Sequence, residues 1–387
     1  MSNITPPKTQ KRRIILFVPG YYGSRLVDQK SSKIRWVRLL DFFFSQKGIP
    51  TTVPGTNIIA SEELVPSEVL KQVTLVPYLV KIDSYGKTLS ILEAFASQHQ
   101  MVVETAPYDW RDDFVSSLKL IDNKIKSLDL QSTDELYVVS HSTGSLLMAY
   151  YLRYGAQDVD GAVEENWEGL KYIKKAVLAA APFHGLMVLL RDTEHGTTKG
   201  FNRNLMSARD YSSFKSSYMF LPPKGEDMGY NSDDQKEVLL NLHDPKTWEN
   251  NNWGIFKFIK VSEKEAAKKF IDTYMSRSQK FHDLLRAPIK NNPYKKIPIL
   301  YTWGAGHKTV QKGFVAKDEN GKLSREINFA LKDCLVEGDG TVTCESGKPL
   351  NYFKSLDLIL QPTNLSHLKV IASKKNQKVI QEFILKK

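Results

Sequence analysis

Ser142, Asp339 and His367 are the side chains of this 387-residue chain whose types and order could carry nucleophilic acyl chemistry. A serine hydroxyl attacks poorly unless an imidazole takes its proton and a carboxylate orients that imidazole. Ser142 lies in Val138-Val139-Ser140-His141-Ser142-Thr143-Gly144. Upstream, Glu135–Val139 reads as a buried strand; downstream, Leu146, Leu147, Tyr150, Tyr151 and Tyr154 recur at helical spacing. A serine among small residues between strand and helix fits the G-x-S-x-G nucleophile elbow. That strained turn lifts the hydroxyl clear of the backbone and offers the next N–H to a developing oxyanion. Ser140 stands where the pattern has its first glycine, a mild departure at a position that must stay small.

The partners are sought in the order serine, acid, histidine that such elbows use. Downstream of Ser142 the candidate bases are His184, His195, His243, His282, His307 and His367. The sheet order favours a histidine after the last strand, and His367 follows the predicted strand Leu356–Gln361 by six residues. The acid belongs in a loop after the penultimate strand. Glu337-Gly338-Asp339-Gly340-Thr341-Val342 supplies Asp339 between two glycines that permit a sharp turn. Glu337 and Asp357 are the alternatives, and an ordinary turn aspartate is the reading without chemistry. A second oxyanion donor is expected from Pro19-Gly20-Tyr21-Tyr22-Gly23-Ser24, whose Tyr21 N–H would aim where the Thr143 N–H does. The same glycines lack both the lysine and the spacing of phosphate-binding loops.

These residues need a frame. Short apolar strands at Arg13–Val18, Met101–Thr105, Glu135–Val139, Ala176–Ala181, Pro298–Trp303 and Leu356–Gln361 alternate with helical patterns at Thr88–Ser97, Ser116–Leu128, Thr143–Arg153 and Gln377–Leu385. That alternation predicts an α/β chain with a mainly parallel sheet covered on both faces. Two stretches break the rhythm: Arg35 to Pro66, with Trp36 and Phe42-Phe43-Phe44, and His184 to about Lys296, with an amphipathic lysine-rich helix near Glu263–Tyr274. Both read as insertions capping the sheet's C-terminal edge. The division expected is a core over 1–183 and 297–387, with a cap over 184–296.

Composition narrows the classes. No run approaches the ~20 apolar residues of a membrane span, and Met1 to Arg13 lacks the apolar stretch of a secretory signal. The expected location is therefore cytoplasmic or peripheral to a membrane. Cys334 and Cys344 are expected as free thiols, and no zinc-type cluster or nucleic-acid motif occurs. The formal net charge of +11 is spread end to end; it reads as solvated faces or, functionally, as attraction to anionic surfaces.

With these pieces placed, the chain resembles the lecithin:cholesterol acyltransferase-like family, a phospholipase A and lipid acyltransferase branch of the α/β-hydrolases. The resemblance rests on collinear blocks: Val18-Pro19-Gly20-Tyr21-Tyr22-Gly23-Ser24-Arg25-Leu26, Ala106-Pro107-Tyr108-Asp109-Trp110-Arg111, Ser140-His141-Ser142-Thr143-Gly144, Ala181-Pro182-Phe183-His184-Gly185, Gly338-Asp339-Gly340-Thr341-Val342, and His367. It implies an α/β-hydrolase fold with cap insertions, and Ser142, Asp339 and His367 as nucleophile, acid and base. Tyr21 and Thr143 would supply the oxyanion N–H groups, with no metal or organic cofactor. It also implies a cap and a membrane-touching segment, which would map onto Trp36–Phe44 and the insertion after His184. Two departures stand beside Ser140: the residue after Pro19-Gly20 is aromatic, and Arg35–Pro66 holds no cysteine for a lid disulfide.

The expected substrate is a lipid acyl ester, a glycerophospholipid, cleaved through an acyl-serine and passed to water or a lipid alcohol. Trp36, Phe42, Phe43 and Phe44 would meet a bilayer, with Arg35, Arg38 and Lys47 at its headgroups, or the same residues would form a buried amphipathic cap helix. Arg111 would meet a headgroup phosphate or pair structurally with Asp109, and His184 would line the acyl pocket or support it. His141 is expected to pack or hydrogen-bond. The competing readings are a soluble esterase of small esters and a catalytically silent lipid-binding module; nucleic acid is not expected as a partner.

Overall fold

The computed structural model describes all residues except 1–10, 39–47, 77–79, 200–201, 232–235, 317–322, 324–325, 330–331 and 387. Six strands form the central sheet: β1 (Arg13–Val18), β2 (Val102–Thr105), β3 (Glu135–His141), β4 (Ile173–Ala179), β5 (Pro298–Gly304) and β6 (Asp357–Thr363). Their order is β6-β5-β4-β3-β1-β2, and every pairing is parallel. Successive side chains on a strand point to opposite faces, and β1 divides its side chains accordingly. Ile14, Leu16 and Val18 enter one buried cluster while Ile15 and Phe17 enter another. In β3, Leu136 and Val138 divide from Tyr137 and Val139 in the same way. A strand buried on both faces must read as a continuous apolar run, which is why these two are legible in sequence.

Helices α1 (Gly86–Gln98), α2 (Phe114–Ser127), α3 (Thr143–Tyr154), α4 (Met187–His195), α5 (Lys264–Arg286), α6 (His367–Ala372) and α7 (Lys374–Leu385) flank the sheet or lie in its insertions. The sheet and its helices form an α/β-hydrolase fold. α3 is buried at all twelve positions and threads the middle of the molecule. β6 behaves differently: as the edge strand it leaves Ile359 and Leu360 41% and 48% exposed, so the expected two-sided cover is incomplete there.

The lysine-rich helix predicted near Glu263–Tyr274 is the 23-residue α5. A third apolar cluster joins its Ala267, Phe270, Ile271 and Met275 to Trp248, Trp253 and Leu190. The same cluster takes in Val53, Ile58, Val315 and Ile327, residues from well outside 184–296. Near the start of the chain, Ser24–Asp28 pairs antiparallel with both Ile34–Trp36 and Leu64–Val69. Among the described residues, no helix is long and apolar enough to cross a membrane. Cys334 and Cys344 are free thiols.

Candidate active site

The strand-to-helix turn between β3 and α3 presents Ser142 at φ 55° and ψ −124°. A non-glycine residue there costs of order 1–3 kcal/mol and persists only where its surroundings over-determine it. They do so here. The Ser142 N–H donates to the Ala179 carbonyl at 2.7 Å, tying the turn to the end of β4. A Cβ on Gly144 would lie 2.3 Å from the Pro19 carbonyl oxygen, and one on Gly20 would lie 2.7 Å from the Ser142 Cβ. Two glycines thus let the loop after β1 close onto the elbow. Ser140, the departure from the glycine pattern, is fully buried and fits because its hydroxyl has partners. Its Oγ donates to the Val177 carbonyl at 3.0 Å and lies 3.0 Å from the Ser145 Oγ.

The structure brings Ser142, His367 and Asp339 together from positions far apart in the chain. His367 Nε2 lies 2.9 Å from the Ser142 Oγ, and its Nδ1 lies 2.7 Å from an Asp339 Oδ2. A carboxylate only accepts hydrogen bonds, so Nδ1 carries the proton and Nε2 is left to accept from the serine hydroxyl. The other carboxyl oxygen accepts the backbone N–H groups of Thr341 and Val342 at 2.9 and 2.8 Å. Burial pushes the Asp339 pKa up, but the adjacent imidazole and these N–H donors outweigh it and hold it below the usual carboxylate value. The backbone N–H of His367 also donates to the Asp339 carbonyl at 2.9 Å, so the two residues are tied through backbone as well as side chain. The alternative acid Glu337 instead accepts the Gly306 N–H at 3.2 Å.

The loop after β1 makes a tight turn closed by the Gly23 N–H on the Gly20 carbonyl at 3.0 Å. Tyr22 takes φ 64° at its third position, a type II geometry usually given to glycine. An aromatic nest holds it: Tyr22 and Tyr21 pack edge-on against Trp110 at 4.9 and 5.0 Å, and the Trp36 indole N–H donates to the Tyr22 carbonyl at 3.0 Å. Below, the Tyr108 hydroxyl donates to the Pro19 carbonyl at 2.9 Å and the Trp110 indole to the Ser24 carbonyl at 3.2 Å. Thr143 opens α3, so its N–H has no intrahelical partner. A cavity of about 330 Å³ covers these groups. Ser142, Thr143, His367 and Tyr21 line it, with Leu189 and Phe220 among its apolar walls and Arg191 beside Asp192 among its polar ones.

Several expected contacts lie elsewhere. Trp36 is 3% exposed and sits among Tyr22 and Trp110, so it does not reach a bilayer; a tryptophan beside a charged run looks the same in sequence whether it faces core or lipid. Arg35 pairs with Glu62 at 2.6 Å. Phe42, Phe43, Phe44 and Lys47 fall outside the described residues. Arg111 does not face a headgroup. Asp109 holds its guanidinium through two nitrogens, the Ile49 carbonyl takes a third, and the residue is 4% exposed. His184 lines a separate small cavity with Glu226 and Ser346 and does not line the one over Ser142. Tyr85 is a polar contact of the elbow that sequence reasoning missed. Its hydroxyl lies 2.7 Å from His141 Nδ1 and accepts the Gly20 N–H at 2.8 Å. A lone tyrosine before a helix carries no pattern that would reveal this. Among the described residues, no cluster of three or more His, Cys, Asp or Glu side chains could hold a metal ion.

The sequence model of lecithin:cholesterol acyltransferase matches residues 35–253, more than half of the chain. No curated protein sequence matches. Among solved structures the chain is similar to one in the crystal structure of the Tle4–Tli4 complex, at 11% identity and a TM-score of 0.55, covering 97% of this chain and 98% of that one. It also aligns with the mature form of the Bacillus licheniformis lipase BlEst2, at 9% identity and a TM-score of 0.38 over 99% and 96% of the two chains.

Proposed function

The chain belongs to the lecithin:cholesterol acyltransferase family, and from that premise we propose that it transfers the acyl group of a lipid ester through an acyl-Ser142 intermediate. The observation that carries this reading is the run of short contacts from Asp339 through His367 to the Ser142 hydroxyl. His367 Nε2 takes the hydroxyl proton as Oγ attacks the ester carbonyl. The resulting oxyanion rests on the N–H groups of Tyr21 and Thr143, two donors fixed before charge develops. Collapse expels the alcohol, which leaves with the proton held by His367. Water or a lipid alcohol then gives its own proton to His367 and attacks the acyl-serine; His367 returns that proton to the departing Ser142 Oγ, releasing a fatty acid or a new ester and the free serine.

A glycerophospholipid is the proposed donor. The net charge of +11 favours an anionic bilayer as the surface from which it is drawn. Wild-type protein and Ser142→Ala are to be incubated with mixed phosphatidylcholine and phosphatidylglycerol vesicles, with and without diacylglycerol or a sterol, and products read by mass spectrometry. Lysophospholipid with either a fatty acid or a new acyl ester, made by the wild type only, is the expected result. Wild-type protein that neither makes these products nor is labelled at Ser142 by a fluorophosphonate would overturn the reading. Turnover of short soluble esters alone would assign a small-ester esterase instead.

A further inference from the structure

Beside the three residues just assigned lies a second buried chain of hydrogen bonds, and it joins both sides of the reaction centre. His141, one residue before the nucleophile, is 2% exposed. Its Nε2 lies 3.0 Å from the His367 carbonyl oxygen. A carbonyl can only accept, so Nε2 carries the proton and Nδ1 is the acceptor. The group opposite Nδ1 is the Tyr85 hydroxyl at 2.7 Å, which must therefore donate. That leaves a Tyr85 oxygen lone pair free for the Gly20 N–H, which reaches it at 2.8 Å. Each contact in the run has one possible direction: Gly20 N–H to Tyr85, Tyr85 O–H to His141, His141 N–H to His367.

We infer that Tyr85 and His141 are positioning residues that set the oxyanion loop and the base relative to each other across the nucleophile. The inference rests on the acyl-transfer reading above. Gly20 precedes Tyr21, so the Gly20 N–H on Tyr85 anchors the residue next to the peptide whose N–H the acyl-transfer reading gives to the oxyanion. At the other end, His141 holds the backbone of His367, whose ring centre lies 4.7 Å from its own. Burial first, and the nearby His367 second, lower the His141 pKa to about 3, so it stays neutral while His367 cycles. Tyr85 is itself fixed. Its N–H donates to the Leu70 carbonyl at 3.1 Å, and its ring lies edge-on to Phe17 at 5.1 Å.

The test uses the full-length protein, a lipid ester substrate, a fluorophosphonate to count active sites, and a trifluoromethyl ketone that forms a tetrahedral oxyanion on serine. Tyr85→Phe removes only the hydroxyl. The expected result is a kcat per titrated site at least tenfold lower, KM within about twofold, and ketone affinity weakened by the same factor as kcat, below the 10²–10³ seen when an oxyanion donor is lost outright. A purely structural role would lower the number of titrated sites and leave the rate per site alone. His141→Gln, which keeps an N–H for the His367 carbonyl, should exceed His141→Leu in kcat by tenfold or more. The proposal is overturned if Tyr85→Phe matches the wild type in kcat and ketone affinity per site. If Tyr85→Phe does not fold, equal rates for the two His141 variants overturn it. Wild-type protein that takes no label and turns over no acyl ester would instead sink the acyl-transfer reading itself.

Discussion

At the scale of single residues, the two oxygens of Asp339 divide the work. Oδ1 takes the N–H groups of Thr341 and Val342, and Oδ2 takes the imidazole. An Asp339→Asn side chain would keep its oxygen on the two backbone donors and turn its NH₂ toward His367. The ring would then have to accept at Nδ1, leaving Nε2 protonated and unable to take the serine proton. We expect kcat to fall by about 10⁴-fold, with the melting temperature close to that of the wild type. Steady-state kinetics and thermal unfolding on the same preparation check both halves. The meeting of Asp339 and His367 with Ser142 is legible in sequence because the order in which such partners are sought is constrained and glycines mark the loop of Asp339. Tyr85 is not, because a side chain that acts through one hydroxyl leaves no periodicity behind. Ser140 reads in sequence as a tolerated small residue; its hydroxyl in fact satisfies Val177 and Ser145, a contact that depends on a strand 37 positions away.

At the scale of elements, the site depends on how closely the loop after β1 meets the β3–α3 turn. Gly144→Ala would bring a methyl group to 2.3 Å from the Pro19 oxygen and 2.7 Å from the Val18 oxygen. Backbone on both sides cannot yield as a flexible side chain would. We expect about 1–3 kcal/mol of destabilisation and slower fluorophosphonate labelling, because the loop carrying Tyr21 must retreat from Ser142. Chemical denaturation and labelling kinetics measure the two effects. The Tyr108-Asp109-Trp110-Arg111 block belongs to this scale. Its tyrosine and tryptophan hold the loop from below, and its arginine is spent on Asp109 and Ile49. The sequence allows either a headgroup ligand or a structural pair for Arg111, since both need a cation beside a carboxylate; only burial distinguishes them. Helix α6, which begins at His367 itself, is not legible because six residues are too few to establish a helical period.

At the scale of the whole molecule, buried histidines make stability depend on pH. Burial lowers the His141 pKa to about 3 and the His282 pKa to about 4, from an unfolded value of 6.5. The unfolded chain binds more protons than the folded one in that range. The stabilisation is therefore complete above about pH 6.5 and lost as pH falls toward 4 and 3. Asp210, held up to about 6 by burial, runs the other way between about 3.8 and 6 and offsets part of the loss. Each histidine contributes up to about 1.4 kcal/mol per pH unit within its window. We expect urea midpoints to fall between pH 7 and 5, and His282→Gln to flatten that slope; an unchanged slope in the variant would refute the assignment.

The apolar cluster that gathers Val53, Ile58, Leu190, Trp248, Ile271, Val315 and Ile327 has a consequence for the chain while it is being made. A ribosome delivers Ser142 early, yet this cluster cannot complete until residues beyond 315 have emerged, and Asp339 and His367 follow later still. Until then the nascent polypeptide lacks part of this apolar core, and the acyl transfer proposed above has no base to start it. Assembly from such distant segments is slow by its topology and exposed to aggregation. On the proposed reading, the growing protein therefore passes through a stretch in which its core is incomplete and its chemistry is not yet possible.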